Sequence, residues 1–340
     1  MGAAVGDRGC TLRIVITGGA GFIGRRLAER LLARGMLAGP DGRERAIDEL
    51  VLFDSVAPDR PLSPDRRVTY VAGDISDRAA LGRLIDRETT TLFHFAAVVS
   101  AEAEADCDKG YRVNLDGTRA VLETCRALGT MPRVVFASSL AVYGGVLPAV
   151  VEDDMPLRPQ TSYGAQKAIG EQLVNDYSRK GYIDGRALRF PTIVVRPGRP
   201  NRAASSWASS ILRDPLAGRE AVCPVGRETA MAILSPRRLV AALEHLHDLP
   251  SERFGTDRSL QLPAVTVTVA EMIAGLERAG GAGCVDRIRW EPDPAIERIV
   301  CGWPRALGAA RARAMGIEPD RDIDEIIASF VADDLPTAAP

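Results

Sequence analysis

The sequence predicts an α/β protein with a doubly wound parallel sheet followed by a smaller C-terminal lobe. Three observations predict it. Short apolar runs alternate with amphipathic stretches over the first two-thirds of the chain. A glycine cluster follows the first of those runs, and the texture changes after Pro191, where prolines and a glycine crowd together. Strands separated by helices imply right-handed crossovers, and continuous apolar strands suit a sheet covered on both faces.

The elements follow in order. Leu12–Thr17 is β-rich, and Phe22–Arg34 carries Phe22, Ile23, Leu27, Leu31 and Leu32 at helical spacing. Leu50–Asp54, Arg67–Val71 and Thr91–Phe95 read as the next strands. Tyr111–Leu128 reads as a helix, Arg133–Ser138 as a strand, Tyr163–Arg179 as a second long helix and Arg186–Phe190 as a sixth strand. Beyond the loop Arg196-Pro197-Gly198-Arg199-Pro200-Asn201, helices are expected near Ala203–Leu212, Arg237–Leu246, Val269–Gly280 and Asp322–Val331. The expected division is a tail over 1–11, a nucleotide-binding domain over 12–195 that also carries the candidate catalytic residues, and a mainly substrate-binding lobe over 196–335.

Composition narrows the function. A chain of 340 residues suffices for one large domain or two ordinary ones. A net charge of −2 lacks the basic excess of a nucleic-acid binder. No apolar run approaches the ~18 residues that suggest a membrane span. The first ten residues carry Asp7 and Arg8 and no apolar core, so they do not read as a secretory signal. The expected compartment is the cytoplasm, and six scattered cysteines without a C-x-x-C pair agree with it. Of the three histidines, His94 lies in an apolar run and reads as a core residue, while His245 and His247 point apart on a helix. No metal site is expected.

Gly18-Gly19-Ala20-Gly21-Phe22-Ile23-Gly24 joins the first strand to the first helix. Gly18 permits a tight turn, Gly21 lets backbone approach a pyrophosphate, and Gly24 permits close helix packing. The helix start at Phe22 and Ile23 offers free N–H groups and a positive dipole end to phosphates. Such a triplet also occurs in ordinary strand-to-helix turns, but the flanking strand and amphipathic helix make it a Rossmann-type dinucleotide site. Asp54, at the end of the second strand, is placed to accept the adenosine ribose hydroxyls and to repel a 2′-phosphate. It also suits a simple strand-end cap. It lies further past the glycines than usual, which the polar stretch Gly39–Arg45 explains as an insertion. Arg25 and Arg26 read as solvent-facing rather than as phosphate ligands, so NAD is expected over NADP. Asp74 and Ile75 are placed against adenine.

Tyr163 and Lys167 stand four apart on one helix and share a face. A phenol near its reference pKa of roughly 10 is a poor base at neutral pH, and a nearby cation favours its phenolate. The pair alone also fits a surface cation beside a half-buried aromatic. Ser138-Ser139, however, follows the fifth strand, at the carboxyl ends where open α/β sheets bind ligands.

With those residues in place, the chain resembles the extended short-chain dehydrogenases/reductases, the group that includes nucleotide-sugar epimerases and dehydratases. The matching elements are Thr17–Gly24, Gly73-Asp74, His94-Phe95-Ala96-Ala97, Asn114–Thr118, Ser138–Gly144 and Tyr163–Lys167, in the family's order over about residues 12–200. The resemblance implies Ser139 as the catalytic hydroxyl, with Ser138 auxiliary. It implies Tyr163 as general base or acid, Lys167 on the phenolate and the nicotinamide ribose, and Asn114 as support. Ala96 and Ala97 would lie along the cofactor, with Pro191, Thr192 and Ile193 beside the nicotinamide. A homodimer through the two long helices is likewise implied.

The chain departs from nucleotide-sugar enzymes in two places. Val194-Val195-Arg196-Pro197-Gly198 replaces their Asn-Val-Tyr-Gly-Pro-like segment, and Arg227–Ala232 replaces an Arg-Asp-Phe-x-His-Val-like one. The loop gains Arg199, Asn201, Arg202, Ser205 and Ser206, an inventory that suits a small polyhydroxy acid as well as an ordinary solvated loop. The stretches Arg189–Ser209 and Asp214–Val225 resemble the D-erythronate dehydrogenase branch of the family. That resemblance implies NAD-dependent oxidation of a four-carbon sugar acid at C2, with Arg199, Asn201, Ser205 and Ser206 at the substrate. Which loop arginine holds the carboxylate stays open. An epimerase or dehydratase that keeps its NAD is the alternative. A non-enzymatic dinucleotide sensor is a further one, though Ser139, Tyr163 and Lys167 are all present.

Overall fold

The computed structural model describes residues 11–56, 63–198 and 204–335. Its strands are β1 (Thr11–Thr17), β2 (Met36–Ala38), β3 (Glu44–Asp54), β4 (Val68–Ala72), β5 (Thr89–His94), β6 (Arg133–Ser139), β7 (Asp184–Phe190), β8 (Thr192–Ile193), β9 (Ala221–Cys223), β10 (Ala230–Leu234), β11 (Ser259–Gln261), β12 (Val265–Thr268) and β13 (Ile288–Trp290). The main sheet runs β11-β7-β6-β5-β1-β3 in parallel, with β4 beside the carboxyl half of β3 and β2 antiparallel to its amino half. The carboxyl ends of β1, β5, β6 and β7 therefore share one edge, and the site forms there.

Alternation along each central strand explains the two covered faces. Ile14 and Ile16 pack with Leu27 and Leu31 of helix Phe22–Arg34 and with Leu239 and Leu243 of helix Pro236–Asp248. Val15, between them, packs the other way, with Val121 of helix Gly117–Leu128 and Val174 of helix Ser162–Arg179. A period of two with both faces apolar is what a doubly wound strand needs.

The structure corrects several sequence expectations. The second long strand begins at Glu44 rather than Leu50, and the Gly39–Arg45 stretch is no plain insertion. It turns a hairpin in which Met36 pairs with Ala46 and Ala38 with Glu44. Polar residues there hid the strand from an apolar-run criterion. The helix expected from Tyr111 is a π-helix over Tyr111–Asp116 before it becomes α-helical at Gly117. Such single-turn widenings cluster at functional sites. The expected lobe over 196–335 is not one excursion, because helix Pro236–Asp248 and strand β11 return to the main sheet. The remaining lobe has its own core of Trp207, Ile211, Met231, Met272, Leu276 and Phe330, among others. Its strands β8, β10 and β12 form a small sheet, and β9 pairs with β13. Among the described residues, no helix is long and apolar enough to cross a membrane.

Candidate active site

The glycine loop has no room for side chains at Gly18, Gly19 and Gly24. Gly18 lies at φ +71°, and a Cβ there would come within 2.8 Å of the Ala96 nitrogen. At Gly24 a Cβ would stand 2.4 Å from the Gly18 carbonyl oxygen. Helix Phe22–Arg34 starts at Gly21 with no side-chain cap, which leaves its first N–H groups to a ligand. The cradle thus fits a pyrophosphate. Replacing Gly24 with Ala is expected to cost about 1–3 kcal/mol of stability through overpacking. The same variant is expected to weaken NADH binding in a fluorescence titration. Wild-type values for both would remove the close-packing role of Gly24.

Asp54 stands beside this loop. Its Oδ2 accepts from the Ala20 N–H at 3.1 Å and its Oδ1 from the Ser55 N–H at 2.8 Å, so one carboxylate holds both the loop and the strand end. Arg26 does not face the loop. It pairs with Asp333 and Asp334 after the C-terminal helix Ile323–Asp333 turns back. Arg25 donates to the Ala20 carbonyl oxygen at 2.7 Å. An anion beside the loop, with Arg26 engaged elsewhere, disfavours a 2′-phosphate. Asp54→Ala is expected to shift the NAD:NADP ratio of kcat/KM toward NADP about tenfold, the scale of a lost charged hydrogen bond at roughly 1.5–3 kcal/mol. An unmoved ratio would count against this role. Asp74 accepts from the Ser76 N–H and hydroxyl, both at 2.8 Å, and these bonds hold its carboxyl below the usual range. Ile75 is buried and fills the space against Gly117.

A hydrogen-bond chain secures the floor of the site. The Ala96 N–H donates to Thr17 Oγ1 at 3.3 Å, and Thr17 Oγ1 lies 2.7 Å from His94 Nδ1. His94 Nε2 lies 2.9 Å from Thr118 Oγ1, whose proton goes to the Asn114 carbonyl oxygen at 2.7 Å. Because Thr118 spends its proton there, His94 is the donor at Nε2 and the acceptor at Nδ1. Burial, then the nearby Lys167, pushes the imidazole down to about 3, so it stays neutral. His94 is the core residue that the sequence suggested. Asn114 extends the same network. Its Oδ1 accepts from the Val98 N–H at 2.8 Å, and its Nδ2 donates to Val98 O and to Gln166 Oε1 at 3.0 and 2.7 Å. Asn114 ties the loop after β5 to the helix bearing Tyr163.

The candidate catalytic groups line one cleft. Its walls include Ile23, Ala97, Ser139, Tyr163, Lys167, Pro191, Ile193, Arg196 and Ser205. Phe22 starts the helix just outside it, with the Arg26 guanidinium 5.7 Å from its ring centre. Tyr163 lies in the first turn of its helix, which Thr161 caps by accepting from the Gly164 N–H at 3.1 Å. Tyr163 is hydrogen-bonded with Ser139, whose Oγ also accepts from the Ala141 N–H at 3.1 Å. Burial pushes the phenol up to about 12, opposed by the Ser139 hydrogen bond and the Arg196 charge. The sequence pointed to Lys167 as the cation that lowers this pKa. The Lys167 ammonium donates to the Ala137 carbonyl oxygen at 2.7 Å and lies 5.6 Å from the Tyr163 ring centre. Burial pushes it down to about 7, against the pull of Glu171. Arg196 is a further cation that acts on the phenol.

Ser138 also departs from expectation. It contributes to the cleft floor, but its Oγ donates to Glu171 Oε1 at 2.5 Å and is no free substrate hydroxyl. Glu171 is fully buried and is gripped by Arg189, whose Nη1 also donates to the Tyr143 hydroxyl at 2.7 Å. Ser205 Oγ accepts from Arg196 Nη2 at 3.0 Å and so aims the guanidinium. Ser206 opens helix Ser206–Leu216 and, unlike Ser205, does not line the cleft. Arg199 and Asn201 lie outside the described residues. Sequence reasoning missed Met231, Ile299, Trp303 and Pro304, which wall the cleft from the lobe side. Met231 lies in the Arg227–Ala232 segment, whereas Ile299, Trp303 and Pro304 sit far along the chain in no motif.

This combination defines a dinucleotide-dependent enzyme with a Ser-Tyr-Lys constellation at the carboxyl edge of its sheet. Residues 14–231 match the NAD dependent epimerase/dehydratase family, and the chain belongs to it. NAD is its cofactor. A protein named D-erythronate dehydrogenase from Cupriavidus necator is 54% identical over 322 residues, spanning 95% of this chain and 98% of its own. A second of the same name, from Haemophilus influenzae, is 42% identical over 95% of this chain and all of its own length. A crystal structure titled as a nucleoside-diphosphate-sugar epimerase from Agrobacterium tumefaciens is 40% identical, with a TM-score of 0.91 and 99% of both chains covered.

Proposed function

We propose that the protein oxidises D-erythronate at C2, with NAD as hydride acceptor, to 2-dehydro-D-erythronate (2-oxo-tetronate). The observation that carries this reading is the phenol of Tyr163, hydrogen-bonded with Ser139 and acted on by the Arg196 charge in one cleft. A phenol-serine pair suits an alcohol carbon, and a guanidinium beside it suits a carboxylate on the adjacent carbon. Arg196, aimed by Ser205, holds the C1 carboxylate and so fixes C2. Ser139 bonds the C2 oxygen, and Tyr163 takes its proton. Lys167 holds the nicotinamide ribose, Asp54 the adenosine ribose and Asp74 with Ile75 the adenine. Ala96, Ala97, Pro191 and Ile193 flank the cofactor. Bound NAD supplies a cationic hydride acceptor at the nicotinamide ring. The balance is alcohol plus NAD to ketone, NADH and one proton.

The two D-erythronate dehydrogenase relatives support the substrate. The Agrobacterium structure's title supports a second reading, an epimerase that keeps its NAD and returns the hydride. Free NADH separates the two, since only a dehydrogenase accumulates it. We further infer a cytoplasmic homodimer through the two long helices. Size-exclusion chromatography with light scattering is expected to give twice the chain mass, and a single-chain mass would contradict that.

A further inference from the structure

We propose that Trp303, with Ile299 and Pro304, gauges substrate length and limits the acid to four carbons. The inference rests on the sugar-acid reading and adds to it the feature that rejects longer acids. The cleft has two sides of different character. Hydroxyls and the guanidinium come from Ser139, Tyr163, Arg196 and Ser205, whereas Met231, Ile299, Trp303 and Pro304 form an apolar wall from the lobe. Helix Pro294–Cys301 explains why that wall exists. Val300 is 2% exposed in the lobe core, while Ile299 on another face is 41% exposed and turned to the cleft. With Met231, Trp303 and Pro304 it forms an apolar face opposite the polar groups, and contiguous apolar surface in a cleft marks a ligand contact.

The wall is also fixed in place. Trp303 packs against the lobe core, and its backbone N–H donates to the Val300 carbonyl oxygen at 3.1 Å. The segment that follows is tied on two sides. Val151 donates its N–H to Ala306 O and accepts from the Gly308 N–H, both at 3.0 Å. The Thr266 hydroxyl donates to the Arg305 carbonyl oxygen at 2.9 Å. A carboxylate anchored on Arg196 and a C2 hydroxyl on Tyr163 thus face a wall of set position. One more CHOH unit would press a hydroxyl against indole and aliphatic carbon, where it loses water and gains no partner. An apolar wall rejects an added hydroxyl by at most about 10²-fold, which sets the scale of the discrimination.

The test compares D-erythronate with D-ribonate, which keeps the same configuration at C2 and C3 and adds one CHOH. The readout is the ratio of kcat/KM for the two acids, from NADH absorbance. Wild type is expected to favour D-erythronate at least about tenfold. Trp303→Ala is expected to move the ratio about tenfold toward D-ribonate, with the KM for NAD unchanged. Ile299→Ala, at a position outside the lobe core, is expected to move it in the same direction by a smaller factor. Oxidation of D-erythronate with the ratio unmoved in both variants overturns the gauge alone. Wild-type inactivity toward both acids overturns the sugar-acid reading and the gauge with it.

Discussion

Tyr163→Phe is expected to lower kcat by about 10²–10⁴-fold, the usual share of a positioned general base. The variant removes one oxygen and keeps the ring beside Lys167 and Ser139. Dinucleotide binding is expected to stay within a few-fold, because the glycine cradle and Asp54 lie at other elements. Stopped-flow absorbance for turnover and NADH fluorescence for binding measure the two effects separately. A variant within about tenfold of wild-type turnover would remove Tyr163 as the base. The pH profile carries the same message. Oxidation needs the phenol deprotonated, and burial holds it at about 12 in the unliganded chain. The rate is therefore expected to rise with pH through neutrality and to be lost toward acid.

Arg196→Met is expected to lower kcat/KM for the acid about 10- to 100-fold, on the scale of a lost charged hydrogen bond at roughly 1.5–3 kcal/mol. Most of the loss should appear in KM, because the guanidinium holds the carboxylate in ground and transition states alike. A second effect distinguishes this residue from a mere anchor. Its positive charge lowers the Tyr163 pKa, so removing it raises that pKa. The rising limb of the pH profile is expected to move to higher pH. Arg196 itself is held below its ordinary value by burial and by the neighbouring Arg213, which makes it ready to accept an anion. A variant with unchanged KM and an unmoved profile would contradict both roles.

Much of the fold was legible because each central strand alternates between two apolar faces. The strand ends at Thr17, Phe190 and Asp54, and the helices from Phe22 and Val269, fall within a residue or so of their expected places. What escaped had no apolar periodicity. The hairpin of β2 with the start of β3 is built from polar residues at Glu44 and Arg45, and its pairing is a tertiary fact. The chain's return through helix Pro236–Asp248 and β11 was hidden for a related reason, since an amphipathic helix does not announce which layer it covers.

The site divides along the same line. Gly18, Gly24, Ser139, Tyr163 and Lys167 stand out as candidates because motif spacing constrains backbone and chemistry together, and Asp54 because it ends its strand. Their partners do not. That Ser138 turns to Glu171, that Lys167 bonds the Ala137 carbonyl oxygen and that Arg196 acts on Tyr163 depend on side-chain directions in the folded chain. The guanidinium at Arg196 could have been singled out as the first cation after the sixth strand, where the loop leaves the carboxyl edge of the sheet. Trp303 stands more than 100 residues beyond that loop, and only the fold brings it to the cleft.

The most direct measurement is NADH absorbance with purified protein, NAD and a panel of D- and L-erythronate, D- and L-threonate and a five-carbon aldonate. NADH formed with D-erythronate well above the other acids is the predicted result. No NADH from any acid, with turnover of a nucleoside-diphosphate sugar and no net NADH, would contradict the account and establish the hydride-returning reading.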